Sequence, residues 1–434
     1  FSVFAEIPLE YKKIINKYEA SQDSFTFIVK NLTNKSESLV AHNEKKLFNP
    51  ASLVKIISTF IAVKELGPQF KWQSDFFHNG DIIGDTLDGD LIFKGRGDAT
   101  FSITNLESSI RKIQRNGIKN IKGDLILDLS YFGLAPKEKL FDNDPMRAYN
   151  ALPKPVVIQS NTMNFVFAMK GSKLNIESNP DLKYIMVKNN IKITNDRCID
   201  WKSKLDYRTE KKDSNFKIIF GGTFSRKCGT KGINLTVLND EDYFYRIFKQ
   251  TWNANGGKFS GNLQLTYIKD ANRKVLYSHN SKPLSEIIRD VNKYSLNLMA
   301  RNTMLTIVAE DSDLLVLESS VNKYVNRWFD KNSLLHNGLF IENGAGLSRN
   351  SALTSEQLLL FMEKIYHNPL MPEMLSSLPI SGVDGTLRRR MNYSSFKNSG
   401  HFKTGSMRNV NAIAGFLLDK NKEMKIFIFI MNDL

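Results

Sequence analysis

The chain has 434 residues, 41% hydrophobic and 24% charged, which is enough apolar material for two or three ordinary domains, each with its own core. A formal net charge of +15 points to anionic surroundings, but the basic residues are dispersed and lack interleaved aromatics, so no nucleic-acid partner is expected. No apolar run approaches the ~20 residues of a membrane span, and the Gly-x-Ser-x-Gly and Gly-x-x-x-x-Gly-Lys motifs are both missing.

At the start, Val3-Phe4-Ala5 places small residues as signal peptidase prefers them, so Phe1 to Ala5 are expected to be the remnant of an export signal, with Glu6 as the mature start. Phe25 to Lys30 and Val40 to His42 read as strands. Asn49-Pro50 then puts a proline where a helix can begin. Leu53, Val54, Ile56, Ile57, Phe60, Ile61 and Val63 make an almost all-round apolar helix ending near Gly67. Such a helix belongs in a core, where Lys55 in its first turn is costly to ionise unless it is paired or functional. Ser-x-x-Lys recurs at Ser109/Lys112, Ser214/Lys217, Ser320/Lys323 and Ser394/Lys397, all in polar stretches. Residues i and i+3 share a helix face, so the Lys55 amine can reach the Ser52 hydroxyl: Ser52 is read as a nucleophile and Lys55 as its base. An amine with an ordinary pKa near ~10.4 is a poor base at neutral pH. Burial and a second cation would lower it, and Lys403 is the candidate cation. The plain alternative is a lysine that snorkels to the surface.

Residues 104 to 118 read as an amphipathic helix ending near Gly117, 121 to 128 as a strand, and 156 to 190 as a series of short strands. Cys198 and Cys228 are the only cysteines; a disulfide and two buried thiols are both open. Leu284, Ile287, Ile288, Val291, Leu298 and Met304 recur at helical intervals around Ser295-Leu296-Asn297. Ser295 could pass a proton from Lys55 to a leaving amine and Asn297 could position a substrate amide, or both could simply satisfy a helix junction. Phe402 to Met407, Ala412 to Leu418 and Lys425 to Met431, with a turn at Lys420-Asn421-Lys422, read as edge-type β-structure closing the chain. Gly405 would let another backbone approach, and Lys403 and Thr404 offer a cation and a hydroxyl to a carboxylate. That suits an extended peptide with a free C-terminus laid beside a strand, although an ordinary hairpin could carry the same motif. His401 shares a strand face with Lys403 and either borders the cleft or is a polar strand residue. The six histidines show no metal-ligand spacing, so no metal or cofactor is expected.

Ser52 to Lys55, Ser295 to Asn297 and Lys403 to Gly405 do not stand alone. With Asn49-Pro50-Ala51, Gly95-Arg96-Gly97-Asp98, Gly123-Asp124-Leu125, Asp128, Phe132, Leu284-Ser285-Glu286, Gly344 to Arg349 and Gly382 to Leu387, the chain resembles the class C low-molecular-mass penicillin-binding proteins, the D-alanyl-D-alanine carboxypeptidase/endopeptidase family, over nearly all of its length. It departs at Leu296, where a polar residue is usual, and at Asn343 and Ala345, where Asp and Ser are usual.

The resemblance implies an α/β (α+β) fold: a β-lactamase/transpeptidase-like catalytic domain from 1–67 and 270–434, with a large nested insertion forming two smaller mixed α/β domains, 68–97 with 176–269, and 98–175. More than half of the chain lies between Lys55 and Ser295, in keeping with an insertion. It further implies a serine-type D-Ala-D-Ala carboxypeptidase and D,D-endopeptidase. The substrates would be peptidoglycan stem peptides, cleaved through a Ser52 acyl-enzyme, with β-lactam antibiotics as covalent inhibitors. The site would comprise Ser52, Lys55, Ser295 and Asn297 as catalytic residues, and Lys403, Thr404, Gly405 and Ser406 as substrate binders. The Ser52 and Ser406 N–H groups would form the oxyanion hole. Asp128, Phe132 and Arg349 would line a subsite for the polar end of the third stem residue, though Asp128 could equally cap a turn. Such an enzyme works in the periplasm or cell envelope, where the positive charge would also favour peripheral contact with acidic lipids. A β-lactamase-like hydrolase, a non-catalytic penicillin-binding wall sensor and a structural envelope protein are the rival readings. Members commonly continue into a helix after the last strand, whereas this sequence ends at Leu434.

Overall fold

The computed structural model describes residues 21–33, 40–132, 140–212, 215–268, 273–392 and 396–433, together with Lys13 and Lys17. The expected export remnant, Phe1 to Ala5 with Glu6, lies outside the described residues. The chain forms two compact units, one from Phe1–Trp72, Phe132–Phe141 and Asn280–Leu434, the other from Gln73–Tyr131 and Asp142–His279.

In the first unit the labelled elements are β1 (Phe25–Asn31), β2 (Val40–His42), α1 (Val54–Leu66), α2 (Leu284–Tyr294), α3 (Asn297–Ala309), α4 (Glu318–Lys331), α5 (Ser355–Tyr366), β3 (Gly400–Met407), β4 (Val410–Leu418) and β5 (Met424–Asn432). The five strands form one sheet in the order β2-β1-β5-β4-β3, antiparallel throughout. Alternation along β5 buries Ile426, Ile428 and Ile430 on one face. α5 packs on β1 and β5, with Thr26 Oγ1 and Ser355 Oγ 2.6 Å apart.

α1 is apolar on every side because it is enclosed on every side. All of Val54 to Val63 is buried, α2 and α3 lie against it, and Phe60 meets Trp328 and Phe361 edge-on at 6.2 and 5.5 Å. Two expectations are corrected here. β4 and β5, read as edge-type, are interior, β5 flanked by β1 and β4, and the two edges of the sheet are β2 and β3. The periodic stretch from Leu284 to Met304 is two helices, broken where Ser295 takes a left-handed φ of 58°.

Among the described residues the second unit comprises several small sheets and two amphipathic helices. Ile103–Arg115 starts at a capping box between Ser102 and Asn105, and Asp240–Ala254 buries Tyr243, Phe244, Phe248 and Trp252. The strand expected over 121 to 128 is two short strands, Asn120–Ile121 and Leu125–Asp128, in different sheets. Met163–Lys170, Lys173–Asn179 and Ile185–Asn189 are the short strands that follow. Cys198 and Cys228 form a disulfide, with Cα atoms 4.9 Å apart.

Candidate active site

Ser52 sits in a one-turn 3₁₀ helix, Ala51–Leu53, that feeds directly into α1. Asn49 shapes the approach: its Oδ1 accepts the Ala51 N–H at 2.9 Å, its Nδ2 donates to Ser348 O at 2.9 Å, and its N–H donates to Asn432 Oδ1 at 2.7 Å, tying the turn to β5. Ala51 is held at φ 46° and Ser295 at φ 58°. A left-handed backbone is uncommon for either residue and costs on the order of 1–3 kcal/mol, so packing rather than local preference fixes both hydroxyl-bearing turns.

One turn along, Lys55 is fully buried. Its Nζ lies 2.9 Å from Ser52 Oγ, and donates to Asn297 Oδ1 at 2.8 Å and to the Ala345 carbonyl at 2.6 Å. Burial, and then the charge of Lys403, push its pKa well below the ordinary lysine value. The Ala345 carbonyl is not a contact that the sequence reading assigned. It is aimed by a tight turn in which Asn343 Oδ1 accepts the N–H groups of Ala345 and Leu347 at 3.0 and 3.3 Å. Gly346, at φ 70°, lies so close to the Ser52 turn that a Cβ there would come within 1.9 Å of Ala51 O. The glycine flanking Ala345 was the available signal, and Asn343, a departure from the family pattern, supplies the turn-capping oxygen.

β3 brings the third motif alongside. Lys403 is also fully buried, and its Nζ donates to Ser295 Oγ and to Thr404 O, each at 2.9 Å. Burial lowers its pKa to about 7, so the cation expected here is close to losing its proton. A Cβ on Gly405 would stand 2.9 Å from Pro50 O and 3.1 Å from Ser52 N, so a side chain there would push the strand away from the Ser52 turn. Thr404 Oγ1 is 2.8 Å from Thr386 Oγ1, a neighbour that the sequence reading did not single out, while Ser406 is exposed. Phe402 N–H donates outward to Pro379 O at 2.8 Å. By the two-residue period of a strand, the N–H groups of Thr404 and Ser406 point to the same outer edge.

Ser52, Lys55, Asn297, Ser295, Lys403 and Thr404 are thus joined by hydrogen bonds into two linked groups, one around each amine. The remaining residues are placed differently. Arg349 is exposed, donates to Arg408 O at 2.6 Å and carries its guanidinium over the Phe141 ring at 5.1 Å. Phe132 is buried. Asp128, in the second unit, is fully buried and engaged by Ser130 N–H at 2.9 Å, by Arg273 and by Lys94 at 3.8 Å. Of the two readings of His401, the contacts favour the polar strand residue: its Nδ1 bonds Leu375 O at 2.8 Å, which anchors the ring to the chain after α5.

A hydroxyl beside a buried amine, a second amine bonded to a second hydroxyl, and an open strand edge are an arrangement that can support acyl transfer to a serine, the class of chemistry of a serine hydrolase. The sequence matches the D-Ala-D-Ala carboxypeptidase 3 (S13) family over residues 10–434, and the chain belongs to that family. It is 25% identical to the D-alanyl-D-alanine carboxypeptidase DacB of Haemophilus influenzae over 94% of this chain and 85% of that protein. It is 24% identical to the penicillin-sensitive carboxypeptidase A of Dictyostelium discoideum over 95% of this chain and 84% of that protein. The crystal structure of penicillin binding protein 4 from Haemophilus influenzae shares the fold, with a TM-score of 0.80 at 24% identity, covering 94% of this chain and 90% of that one. The chain is accordingly a serine peptidase of the D-alanyl-D-alanine carboxypeptidase family.

Proposed function

We propose that Ser52 is acylated by the penultimate D-alanine of peptidoglycan stem peptides, with Lys55 as the base, and that water then hydrolyses the acyl-enzyme. The observation that carries this is the set of partners around Lys55. Asn297 Oδ1 and Ala345 O can only accept, so a neutral amine spends both of its hydrogens on them. Its lone pair is then left for the Ser52 hydroxyl at 2.9 Å. Burial and the nearby Lys403 charge favour that neutral form.

In this reading the Ser52 and Ser406 N–H groups hold the tetrahedral oxyanion, each worth about 3 kcal/mol in the transition state. Lys403, Thr404 and Ser406 take the terminal carboxylate at the open edge of β3, where Gly405 lets the strand come close to Ser52. Ser295, bonded to Lys403, returns the proton to the leaving D-alanine. Cleaving a cross-link is the same acylation with a different leaving amine, which gives the D,D-endopeptidase activity. A β-lactam enters as a mimic of the D-Ala-D-Ala terminus and stays on Ser52; the names of both carboxypeptidase and penicillin-binding relatives support this.

The exposed guanidinium of Arg349 suits the carboxylate of a third stem residue, and Asp128 and Phe132 join that subsite on the family resemblance alone. The division of the insertion into 68–97 with 176–269 and a nested 98–175 rests on the same resemblance. The enzyme would work in the periplasm or envelope, since peptidoglycan lies outside the cytoplasm and a disulfide persists in an oxidising compartment. Among the described residues no helix is long and apolar enough to cross a membrane, and peripheral contact with acidic lipids would draw on the net charge of +15.

The test is incubation with diacyl-D-Ala-D-Ala peptide, cross-linked muropeptides and a labelled penicillin. D-alanine release, cleaved dimers and stoichiometric label are expected, and all three should disappear in Ser52→Ala. Rapid, sustained hydrolysis of the penicillin would favour a β-lactamase instead. Label without peptide turnover would favour a sensor.

A further inference from the structure

Lys293 lies two residues before Ser295, on the last turn of α2, and is 3% exposed, yet the chemistry above gives it no part. Its Nζ donates to Asp384 Oδ2 at 2.6 Å and to Leu378 O at 3.0 Å. Asp384 Oδ1 in turn accepts the Ile380 N–H at 2.8 Å. The segment held at these points covers the first part of β3: Phe402 N–H donates to Pro379 O, Ser381 N–H donates to Gly400 O at 2.9 Å, and Ile380 and His401 form an antiparallel bridge. Just beyond, a Cβ on Gly385 would come within 2.5 Å of Lys293 O, so the chain is pressed against the end of α2. Thr386, the next residue, meets the Thr404 hydroxyl. One ion pair, its lysine buried and its aspartate half-buried, therefore joins the end of the helix that leads into Ser295 to the strand that carries Lys403 and Thr404.

We propose that Lys293 and Asp384 are positioning residues for acyl transfer. The pair fixes the separation between the Ser295 turn and β3, which keeps Ser295 Oγ within hydrogen-bond reach of Lys403 Nζ and holds Thr386 against the Thr404 hydroxyl. An ammonium that bonds a carboxylate and a carbonyl at once constrains direction as well as distance, whereas an apolar contact of the same volume would let the two elements slide. A misplacement of about 1 Å can cost up to roughly a hundredfold in rate. The proposal rests on the Ser52 acyl-enzyme reading and deepens it.

The experiment measures single-turnover acylation by a fluorescent penicillin, normalised to the final label, with thermal melting in parallel. Lys293→Met removes the ammonium. Asp384→Asn keeps the shape and an oxygen for Ile380 and serves as the milder variant should the first fold poorly. Lys293→Met should acylate roughly ten- to a hundredfold more slowly with little change in the half-saturating penicillin concentration, and Asp384→Asn several-fold more slowly. The double variant should be no slower than Lys293→Met, because both changes break the same link. Wild-type acylation rates in the folded single variants, even with lowered melting temperatures, would overturn the proposal and leave the pair a purely structural one. Ser52→Ala run alongside separates the two ideas: label on that variant would overturn the acyl-enzyme reading and this proposal with it.

Discussion

Buried charge is handled in opposite ways at Lys55 in the first unit and at Asp128 in the second. Around Lys55 and Lys403, every hydrogen-bond partner described is a neutral oxygen of a hydroxyl, an amide or a backbone carbonyl. Dipoles soften the cost of burial without cancelling it, so burial drives both amines toward the neutral form, Lys403 to about 7. Asp128 is just as deeply buried, and burial pushes its pKa upward. Hydrogen bonds from Ser130 and Arg273 and the charge of Lys94 outweigh that and hold it below the usual carboxylate range. An ion given only dipoles retains the option of losing its charge, which is what a base needs. An ion given counter-ions keeps its charge.

The largest expected effect tests the first half of that contrast. Lys55→Met should slow acylation by about 10²–10⁴-fold, the usual worth of a positioned general base. It should nevertheless melt at or above the wild-type temperature, because a poorly compensated buried amine has been replaced by an apolar group of similar size. A marked fall in melting temperature would show that the amine is structurally paired after all. Next, Arg273→Met leaves a buried carboxylate with its Ser130 hydrogen bond and, among the described residues, Lys94 as its remaining counter-ion, and should cost about 3–5 kcal/mol in urea unfolding, with penicillin acylation per folded molecule preserved. Within the same unit, reducing Cys198–Cys228, which closes a separation of 30 residues, should cost about 3 kcal/mol, read as a lower melting temperature together with two newly alkylated thiols.

Per pH unit the effects of pH are the smallest, about 1.4 kcal/mol for each group, and they share one sign, stability rising with pH, in different windows at the two places. Lys55 and Lys403 have folded pKa values below their unfolded ones, so the unfolded chain binds more protons and their contribution to stability rises with pH, for Lys403 between about 7 and 10.5. Asp128 has a lowered folded pKa, so its contribution is complete above the unfolded value of 3.8 and is lost as pH falls through the folded one. In catalysis, acylation should rise with pH as Lys55 loses its proton, and affinity for the peptide carboxylate should weaken above about 7 as Lys403 does. A pH–rate profile with and without Lys403→Met would separate those two limbs.

Much of this site was legible because part of its geometry is local. Three-residue spacing on an apolar helix places Lys55 on the face of Ser52, two-residue alternation gives the strands of the sheet, and Gly405 marks a close approach of backbones. What the spacing could not say is which partners these residues would meet. Ser295 and Asn297 fall on a helical pattern that other Ser-x-Asn pairs share. Only packing breaks that helix at Ser295, in a left-handed turn that the residue type does not favour, and so sends Ser295 to Lys403 and Asn297 to Lys55. The third acceptor on Lys55, the Ala345 carbonyl, is a backbone atom 290 positions away, and no side-chain motif encodes it. β5 ends up in the middle of the sheet because β1, from the other end of the chain, pairs with it. The sequence by itself set the reacting groups and the elements that carry them, because those follow from spacings of two to four residues. The lowered amine pKa values, the open edge of β3 and the pairing of Asp128 were decided by the tertiary structure alone, because solvent exclusion and the nearest charge depend on segments that only folding brings together.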